Sequence, residues 1–241
     1  MIIRKNHYLS IVIPILNESK NIKLLIPKIV KNIERKISKY EIIIVDDCSE
    51  DNIEQVIFNL KKKIKKIRLI RRTSKINRDL SQSCLEGFKK AKYENIVVMD
   101  GDLQHDPKDI IKLYNKFINK NLDIVIGSRS LLKNGSKGLG IFRYLASILI
   151  IFFFNLFLGK KTKDPMTGFF ILKKKIINQI KSKLYAKGFK ILADIIYTKK
   201  YNYKIEDVDI NFKMRVRGGS KMNLKILSQV ILLFLYKLLN I

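Results

Sequence analysis

The 241-residue sequence has little of what stabilises small secreted or fibrous proteins. It contains two cysteines, Cys48 and Cys84, together with four prolines and 11 glycines. Two cysteines cannot make a disulfide framework or, by themselves, a four-ligand zinc site, and their number fits a reducing compartment. The proline and glycine counts exclude a collagen-like or proline-rich linker protein.

Signals of several other protein classes are missing. There is no internal repeat and no clear linker, and the first residues, Met1–Tyr8, are too short and polar for a signal peptide. No Gly-x-Gly-x-x-Gly follows the first predicted strand, which disfavours a nicotinamide-dependent dehydrogenase. No convincing catalytic histidine or serine triad is present either.

Acidic residues are outnumbered: 49 Lys and Arg face 21 Asp and Glu, giving a formal net charge of +28. This charge suggests an anionic partner, which could be nucleic acid, a membrane surface or a phosphorylated substrate. Lys, Ile and Asn are abundant along the whole chain, so part of the charge is ordinary solvated surface. With 47% hydrophobic residues, the chain is not disordered and can bury a sizeable core.

Short apolar runs alternate with amphipathic stretches in the first half, and this rhythm continues less regularly in the second. The predicted strands are Ser10–Ile15, Ile42–Val45, Arg68–Ile70, Ile96–Met99, Asp123–Gly127, Thr167–Leu172 and Ile205–Phe212. The predicted helices are Asn21–Ile37, Ile53–Ile64, Ser81–Ala91, Asp109–Asn119, Leu139–Leu158, Lys174–Lys181, Lys190–Tyr201 and Leu224–Ile241. The pattern predicts an α/β fold, a mostly parallel sheet flanked by helices, with ligands at the carboxyl ends of the strands.

Acidic residues follow three of these strands. Asn17-Glu18, Asp46-Asp47 and Asp100-Gly101-Asp102 each come directly after an apolar run. One such carboxylate is usually a helix cap. Three on parallel strands of one sheet would share a rim, which favours a functional site.

The pair Asp100 and Asp102 has a specific chemical use. A turn after the strand can bring both carboxylates to one Mg²⁺ or Mn²⁺, with Gln104 as a neutral oxygen ligand. Gly101 lets the backbone approach closely. We expect His105 to be a surface residue, or one that supports a ligand, rather than a ligand itself.

Three motifs in a fixed order carry a family resemblance: Pro14–Glu18, Val45–Ser49 and Val98–Pro107. With them, the chain resembles family 2 glycosyltransferases of GT-A (Rossmann-like) fold, in particular the dolichol-phosphate mannose synthase and polyprenyl-phosphate glycosyltransferase branch. The similarity runs from about Ser10 to Met222. It implies a GT-A domain over 1–222, with an apolar interfacial helix at 139–159, and a C-terminal amphipathic, membrane-associated helix at 223–241.

The resemblance implies roles for individual residues. Metal ligands would be Asp100, Asp102 and Gln104. The nucleotide sugar would contact Pro14, Leu16, Glu18, Val45, Asp47, Asp100, Gly101, Asp102, Gln104, Lys190, Arg215 and Lys221. Cys48 stands where the family usually has glycine, and Asp51-Asn52-Ile53 departs from its Asp-Gly-Thr.

The acceptor phosphate would bind Arg129, Arg143 and Ser147, and the catalytic residues would be Asp102, Arg129 and Arg143. Independently of the family, a guanidinium offers paired donors to phosphate and stays charged beside a membrane. Asp164–Phe170 is expected to shape the sugar and acceptor site. Lys213–Lys221 is expected to close over the diphosphate.

The apolar segment Leu139–Leu158 is about 30 Å long as a helix, near the thickness of a bilayer core. A spanning helix would place Asp100 and Asp102 across the membrane from Arg215, so we expect it to lie in the membrane plane. Leu224–Ile241, interrupted by Lys237, is expected to do the same. The alternative for both is a buried core or a dimer face.

The sequence thus predicts a divalent-metal-dependent, inverting transfer of sugar from a nucleoside diphosphate sugar, of GDP-mannose or UDP-glucose type, to a polyprenyl or dolichyl phosphate. The enzyme would be peripheral at the cytoplasmic membrane face, without a nucleic-acid partner, and its oligomeric state is open. Two alternatives remain. One is a family 2 enzyme with a saccharide or protein-linked acceptor, and the other is a non-enzymatic basic protein that binds nucleic acid or acidic membranes.

Overall fold

Strands and helices alternate through most of the described chain. The computed structural model describes residues 8–76, 78–129, 141–198, 202–214 and 224–239. The strands are β1 (Tyr8–Ile15), β2 (Lys39–Asp46), β3 (Ile67–Arg71), β4 (Asn95–Val98), β5 (Ile124–Ser128), β6 (Phe170–Lys173) and β7 (Ile205–Asp209). The helices are α1 (Ser19–Ile33), α2 (Ile53–Lys63), α3 (Leu80–Lys90), α4 (Asp109–Asn119), α5 (Ile141–Leu158), α6 (Lys174–Ile180), α7 (Ile191–Ile196) and α8 (Leu224–Leu239).

These strands form a sheet in the order β3-β2-β1-β4-β6-β5-β7. β6 is antiparallel to β4 and β5, and the other neighbouring pairs are parallel. The order reverses between β1 and β4, because β2 and β3 lie on one side of β1 and the later strands lie on the other. In open α/β sheets such a reversal leaves a crevice at the carboxyl ends of the strands. The predicted, mostly parallel sheet is confirmed.

Each predicted strand and helix has a counterpart, although some boundaries differ. The helix predicted at Lys190–Tyr201 ends earlier in the structure, because α7 ends at Ile196. The strand predicted at Thr167–Leu172 begins later, because β6 begins at Phe170. After α7, the Thr198 hydroxyl donates to the Asp194 carbonyl at 2.9 Å. The Thr198 amide donates to the Ile195 carbonyl at 3.3 Å, an i to i−3 bond of the kind that tightens the last turn of a helix.

The sheet carries a hydrophobic core on each face. In β1, Leu9, Ile11 and Ile13 point into a core shared with α1, α2 and α4. Val12 points the opposite way, into a core shared with α3, α6 and α7. All four side chains are fully buried, and burying each one stabilises the fold by about 1.5–3 kcal/mol. Cores on both faces hold the strand ends in place.

The turns after β1, β2 and β4 share an unusual backbone conformation. Asn17, Cys48 and Leu103 have φ angles of 57°, 63° and 65°, in the left-handed region that favours glycine. The first two turns are tied together, because the Asn17 amide donates to Ser49 Oγ at 2.7 Å and the Glu50 amide donates to Asn17 Oδ1 at 2.8 Å. Sharp turns at these strand ends direct the acidic motifs to one rim.

We expect Cys48→Val to lower the free energy of unfolding by about 1–2 kcal/mol, because a β-branched residue fits the left-handed region poorly. Cys48→Gly relieves the same strain and should stay close to the parent protein. Urea unfolding of the two variants measures the difference. Equal midpoints for valine and glycine would contradict the argument.

Helices α5 and α8 pack against each other over the second core. The ring of Phe154 in α5 lies 5.2 Å from that of Tyr197 and 5.3 Å from that of Phe234 in α8. The opposite side of each helix is apolar and about half exposed: Leu145, Leu149, Phe152, Leu156, Ile231, Leu232 and Leu235. Among the described residues, no helix combines the length and apolar character needed to cross a bilayer.

Lys237, the residue that interrupts the apolar last helix, has a buried side chain. Its side chain is 4% exposed and its Nζ lies 2.6 Å from Asp194 Oδ1. The lysine therefore points into the protein, and α8 turns apolar residues outward. A buried carboxylate partner explains this orientation, since burying an unpaired ammonium group is costly.

Candidate active site

A cleft of about 210 Å³ lies at the carboxyl ends of the strands, at the reversal of strand order. Its lining includes most of the side chains that the sequence assigned to a site. These are Pro14, Leu16, Glu18, Asp47, Asp100, Gly101, Asp102, Gln104, Arg129, Ser147 and Lys190. Residues from β1 to α7 thus meet around one cavity.

Four predicted site residues are not among those lining the cleft. Val45 is fully buried and packs in the second core rather than in the wall of the cleft. Arg143 lies in α5, but its side chain is outside the described part of the chain. Arg215 and Lys221 also lie outside the described residues, so their approach to Asp102 remains a prediction.

Asp100 is held tightly at the edge of the cleft. A Cβ added to Gly168 would overlap its carboxylate, so only glycine lets the turn before β6 come this close. His105 Nε2 lies 3.5 Å from Asp100 Oδ2. Burial alone would raise the pKa of Asp100, but the hydrogen bond and charge of His105, with the charges of Lys190 and Arg129, outweigh it and lower the pKa. Asp100 is therefore ionised in the folded protein.

His105 is a buried residue that supports the Asp100 carboxylate. It is 2% exposed, and its ring lies 5.0 Å from Phe169 and 5.1 Å from Phe212. The sequence predicts that His105 is either a surface residue or one that supports a ligand. The structure has the second arrangement, with His105 buried next to Asp100, a candidate metal ligand.

The residues at this edge fit a hard divalent cation whose remaining ligands would come from a bound diphosphate. Among the described residues, no three His, Cys, Asp or Glu side chains are grouped to hold a metal without other ligands. Asp100, Asp102 and the Gln104 amide offer oxygen atoms, which Mg²⁺ and Mn²⁺ prefer. Mg²⁺ typically uses one or two carboxylates together with substrate phosphates.

Gln104 also fastens the segment that follows β7. Its Nε2 donates to the Lys213 carbonyl at 2.9 Å, and the Lys213 amide donates to the Gln104 carbonyl at 2.9 Å. These bonds fix the orientation of the side-chain amide. They also place Lys213, the first residue of the predicted closing loop, beside Gln104.

Asp47 also lines the cleft, and two groups that the sequence pattern did not indicate as its partners bind its carboxylate. Its Oδ1 contacts Arg72, and its Oδ2 accepts from the Asp79 amide at 2.6 Å. Burial raises the pKa of Asp47, against the opposing effects of Arg72 and the Asp79 amide. Arg72 directly follows β3, so the rule that placed the acids on one rim also places this arginine there.

Arg129 and Asp164 form a buried ion pair beside the cleft. Arg129 Nε lies 2.5 Å from Asp164 Oδ2, and its Nη2 lies 2.7 Å from Oδ1, with side chains 5% and 1% exposed. Burial would raise the pKa of Asp164, but the charge and hydrogen bonds of Arg129 outweigh it and lower the pKa. The pair fixes the guanidinium at the cavity wall.

We expect this pair to make the fold sensitive to acid. Because the folded-state pKa of Asp164 lies below its ordinary value of 3.8, its stabilising contribution is complete above that value and is lost as the pH falls through the lowered pKa. Asp164→Asn should be less stable at pH 7, by about 3–5 kcal/mol, and should lose less further stability towards pH 3. Urea unfolding across this range measures both slopes, and parallel slopes would contradict the assignment.

A comparison with protein-family models matches residues 10–181 to glycosyl transferase family 2. The dolichol-phosphate mannosyltransferase of Pyrococcus furiosus is 36% identical over 215 residues, which cover 88% of this chain and 58% of that protein. The Saccharomyces cerevisiae protein of the same name is 30% identical over 233 residues, covering 91% and 83%. The chain therefore spans less than two thirds of the Pyrococcus protein's length.

Solved structures confirm the type of fold. A glucosyl-3-phosphoglycerate synthase from Mycobacterium tuberculosis, in complex with Mn²⁺, UDP-glucose and phosphoglyceric acid, superposes with a TM-score of 0.72 at 16% identity. The match covers 96% of this chain and 80% of that one. The same enzyme with Mn²⁺, UDP and phosphoglyceric acid gives a TM-score of 0.70 at 16% identity, over 96% and 78% of the chains. The predicted GT-A-like α/β fold is thus confirmed.

Proposed function

Because this chain belongs to glycosyl transferase family 2, we propose that it transfers a sugar from a nucleoside diphosphate sugar to a polyprenyl or dolichyl phosphate. One observation carries the proposal: the same cleft is lined by both charged and apolar side chains. Asp100 and Asp102 belong to the charged group, while Ile150 of α5 and Leu227 and Val230 of α8 belong to the apolar group. A donor with a charged diphosphate and an acceptor with an apolar tail fit these two kinds of lining.

The donor, of GDP-mannose or UDP-glucose type, binds at the charged residues of the cleft. Asp100, Asp102 and Gln104 would hold Mg²⁺ or Mn²⁺, which supplies charge neutralisation for the leaving diphosphate. Lys190, which also lines the cleft, adds a positive charge. The relatives named as dolichol-phosphate mannosyltransferases and the Mn²⁺ complexes of the structural neighbour support this assignment.

The acceptor phosphate binds near Arg129, with Arg143 and Ser147 as its further contacts. A phosphate oxygen is already anionic near neutral pH, so attack on the anomeric carbon needs no strong general base. The arginine orients that oxygen, and Asp164 keeps the guanidinium in place. In-line attack inverts the configuration at the anomeric carbon.

The exposed sides of α5 and α8 bind the cytoplasmic face of the membrane, in its plane. Neither helix contains an acidic residue, and Lys160 and Lys161 after α5 are exposed. Basic residues near an anionic leaflet each contribute about 1 kcal/mol, and a large exposed apolar patch marks an interaction surface. In this proposal, residues 1–222 are the catalytic domain, with the apolar helix at 139–159, and residues 223–241 are a membrane-associated helix.

We expect the triple variant Leu145→Ser, Leu149→Ser, Phe152→Ser to bind vesicles of anionic phospholipid at least about tenfold more weakly, because each change removes about 1.5–3 kcal/mol of burial. Flotation of the protein with vesicles measures this. The matched control is Phe58→Ser on α2, which is 59% exposed and far from this face. Equal loss in the control would point to a nonspecific effect and contradict the proposed surface.

Incubation of the purified protein with Mn²⁺ or Mg²⁺, polyprenyl phosphate and a panel of nucleotide sugars tests the function. Lipid-extractable label is the expected result, and EDTA should abolish it. Label in a soluble saccharide with none in the lipid would support the other family 2 chemistry. No transfer with any donor, together with salt-sensitive nucleic-acid binding that survives Asp102→Ala, would overturn the proposal.

A further inference from the structure

The segment 184–190 joins the 3₁₀ turn Lys181–Lys183 to α7 and ends at the cleft residue Lys190. Ala186 and Gly188 within it have left-handed φ angles of 57° and 88°. Such a conformation in a non-glycine residue persists only where its surroundings hold it. The surroundings come from two sides of the molecule.

The first side is the nucleotide end of the cleft. The Gly188 amide donates to Asp79 Oδ2 at 2.5 Å, and the Gly188 carbonyl accepts from the Ser81 amide at 2.9 Å. Gln82 Nε2 donates to the Ala186 carbonyl at 2.5 Å. Since the Asp79 amide binds Asp47 directly, the segment is one residue removed from the candidate nucleotide contact.

The second side is α8. Asp194 accepts from the Tyr185 amide at 3.1 Å and from the Ala186 amide at 2.7 Å, and it pairs with Lys237 of α8 at 2.6 Å. Lys237 also donates to Thr198 Oγ1 at 3.0 Å. Asp194, Lys237 and Thr198 are almost fully buried, so water cannot replace a lost partner of their side chains.

Lys190 lies between the two sides. Its Nζ donates to the Met166 carbonyl at 2.9 Å, in the turn that carries Gly168 against Asp100. Its charge also lowers the pKa of both Asp100 and Asp164. A shift of segment 184–190 would move this ammonium group.

We propose that Asp194 and Lys237 are positioning residues that hold Lys190 in the donor site through segment 184–190. Seating of α8 and binding of a nucleoside diphosphate then strengthen each other, because a coupling free energy between two sites acts in both directions. The inference rests on the proposed function, since it takes Lys190 as a contact of the diphosphate. It makes α8 part of the donor site as well as part of the apolar surface.

The test compares Lys237→Met with Lys173→Met by calorimetric titration of GDP and of UDP, each with Mn²⁺. Lys173 forms an ion pair of similar length, 2.9 Å to Asp123, at the other end of β6. We expect Lys237→Met to bind the preferred nucleotide at least about tenfold more weakly, and Lys173→Met to bind it as the parent does. Parent-like affinity in a folded Lys237→Met protein overturns the inference while leaving the proposed function intact.

A second measurement needs no variant. Hydrogen exchange of the parent protein with and without nucleotide and Mn²⁺ should show slower exchange at the Tyr185, Ala186 and Gly188 amides and along α8 when the nucleotide is bound. Unchanged exchange there, despite measured binding, overturns the coupling alone. Binding of neither GDP nor UDP to the parent overturns the proposed function and the coupling with it.

Discussion

Asparagine in place of Asp102 is expected to reduce sugar transfer about 10²–10³-fold, because the variant keeps the shape of the side chain and loses the charge that holds a divalent cation against the leaving diphosphate. The main-chain N–H of Gln104 donates a hydrogen bond to Asp102 Oδ1 at 3.2 Å, and the asparagine oxygen can still accept it. Stability should therefore change little. Initial rates at saturating Mn²⁺ measure the effect, and Mn²⁺ binding in the presence of nucleotide should weaken in parallel.

The control for this substitution is Glu206→Gln, which removes a carboxylate that pairs with Lys116 and Lys120 at the surface. Surface pairs of this kind contribute about 0–1 kcal/mol, so the rate should stay near that of the parent. If Asp102→Asn kept more than about a tenth of the parent activity, the metal assignment would be wrong.

Gly168→Ala is the second change with a large expected effect. The added methyl group would overlap the Asp100 carboxylate, which must then move away from its place in the cleft. Since a misplacement near 1 Å can cost about 10²-fold in rate, we expect a loss of that size, with kcat falling more than the affinity for the acceptor. Steady-state kinetics on folded protein measure it.

Gly87→Ala is the matched control for that variant. Its added methyl group would overlap the side chain of Val12 in the second core to a similar degree, and neither Gly87 nor Val12 is among the residues that line the cleft. We expect it to lower the melting temperature without changing the rate per folded molecule. Equal kinetic losses in the two variants would show that the effect of Gly168→Ala is general destabilisation.

Much of the fold was predictable because hydrophobic periodicity reports which residues are buried and because parallel strands end at one rim. That rule placed Asp47, Asp100 and Asp102 together, and it applies equally to Arg72. Hydrophobic periodicity cannot tell which face of a nearly uniformly apolar helix is covered. The orientation of Lys237 therefore had to come from its buried partner, Asp194.

Ion pairs between distant parts of the chain were also beyond sequence reasoning. Arg129 and Asp164 lie 35 residues apart, and neither residue type nor local pattern indicates the pairing. Val45 shows a different limit. A motif can place a residue in a functional segment while the alternation of the strand points its side chain into the core.

The place of β5 between β6 and β7 delays completion of the sheet during translation. β5 bonds to β6 and β7, both of which are made later, and α5 leaves the ribosome before either of them. At 5–20 residues per second, this delay lasts on the order of several seconds. During that interval the sheet that α5 packs over is incomplete. A nascent chain therefore exposes this long apolar helix until β6 and β7 have been made.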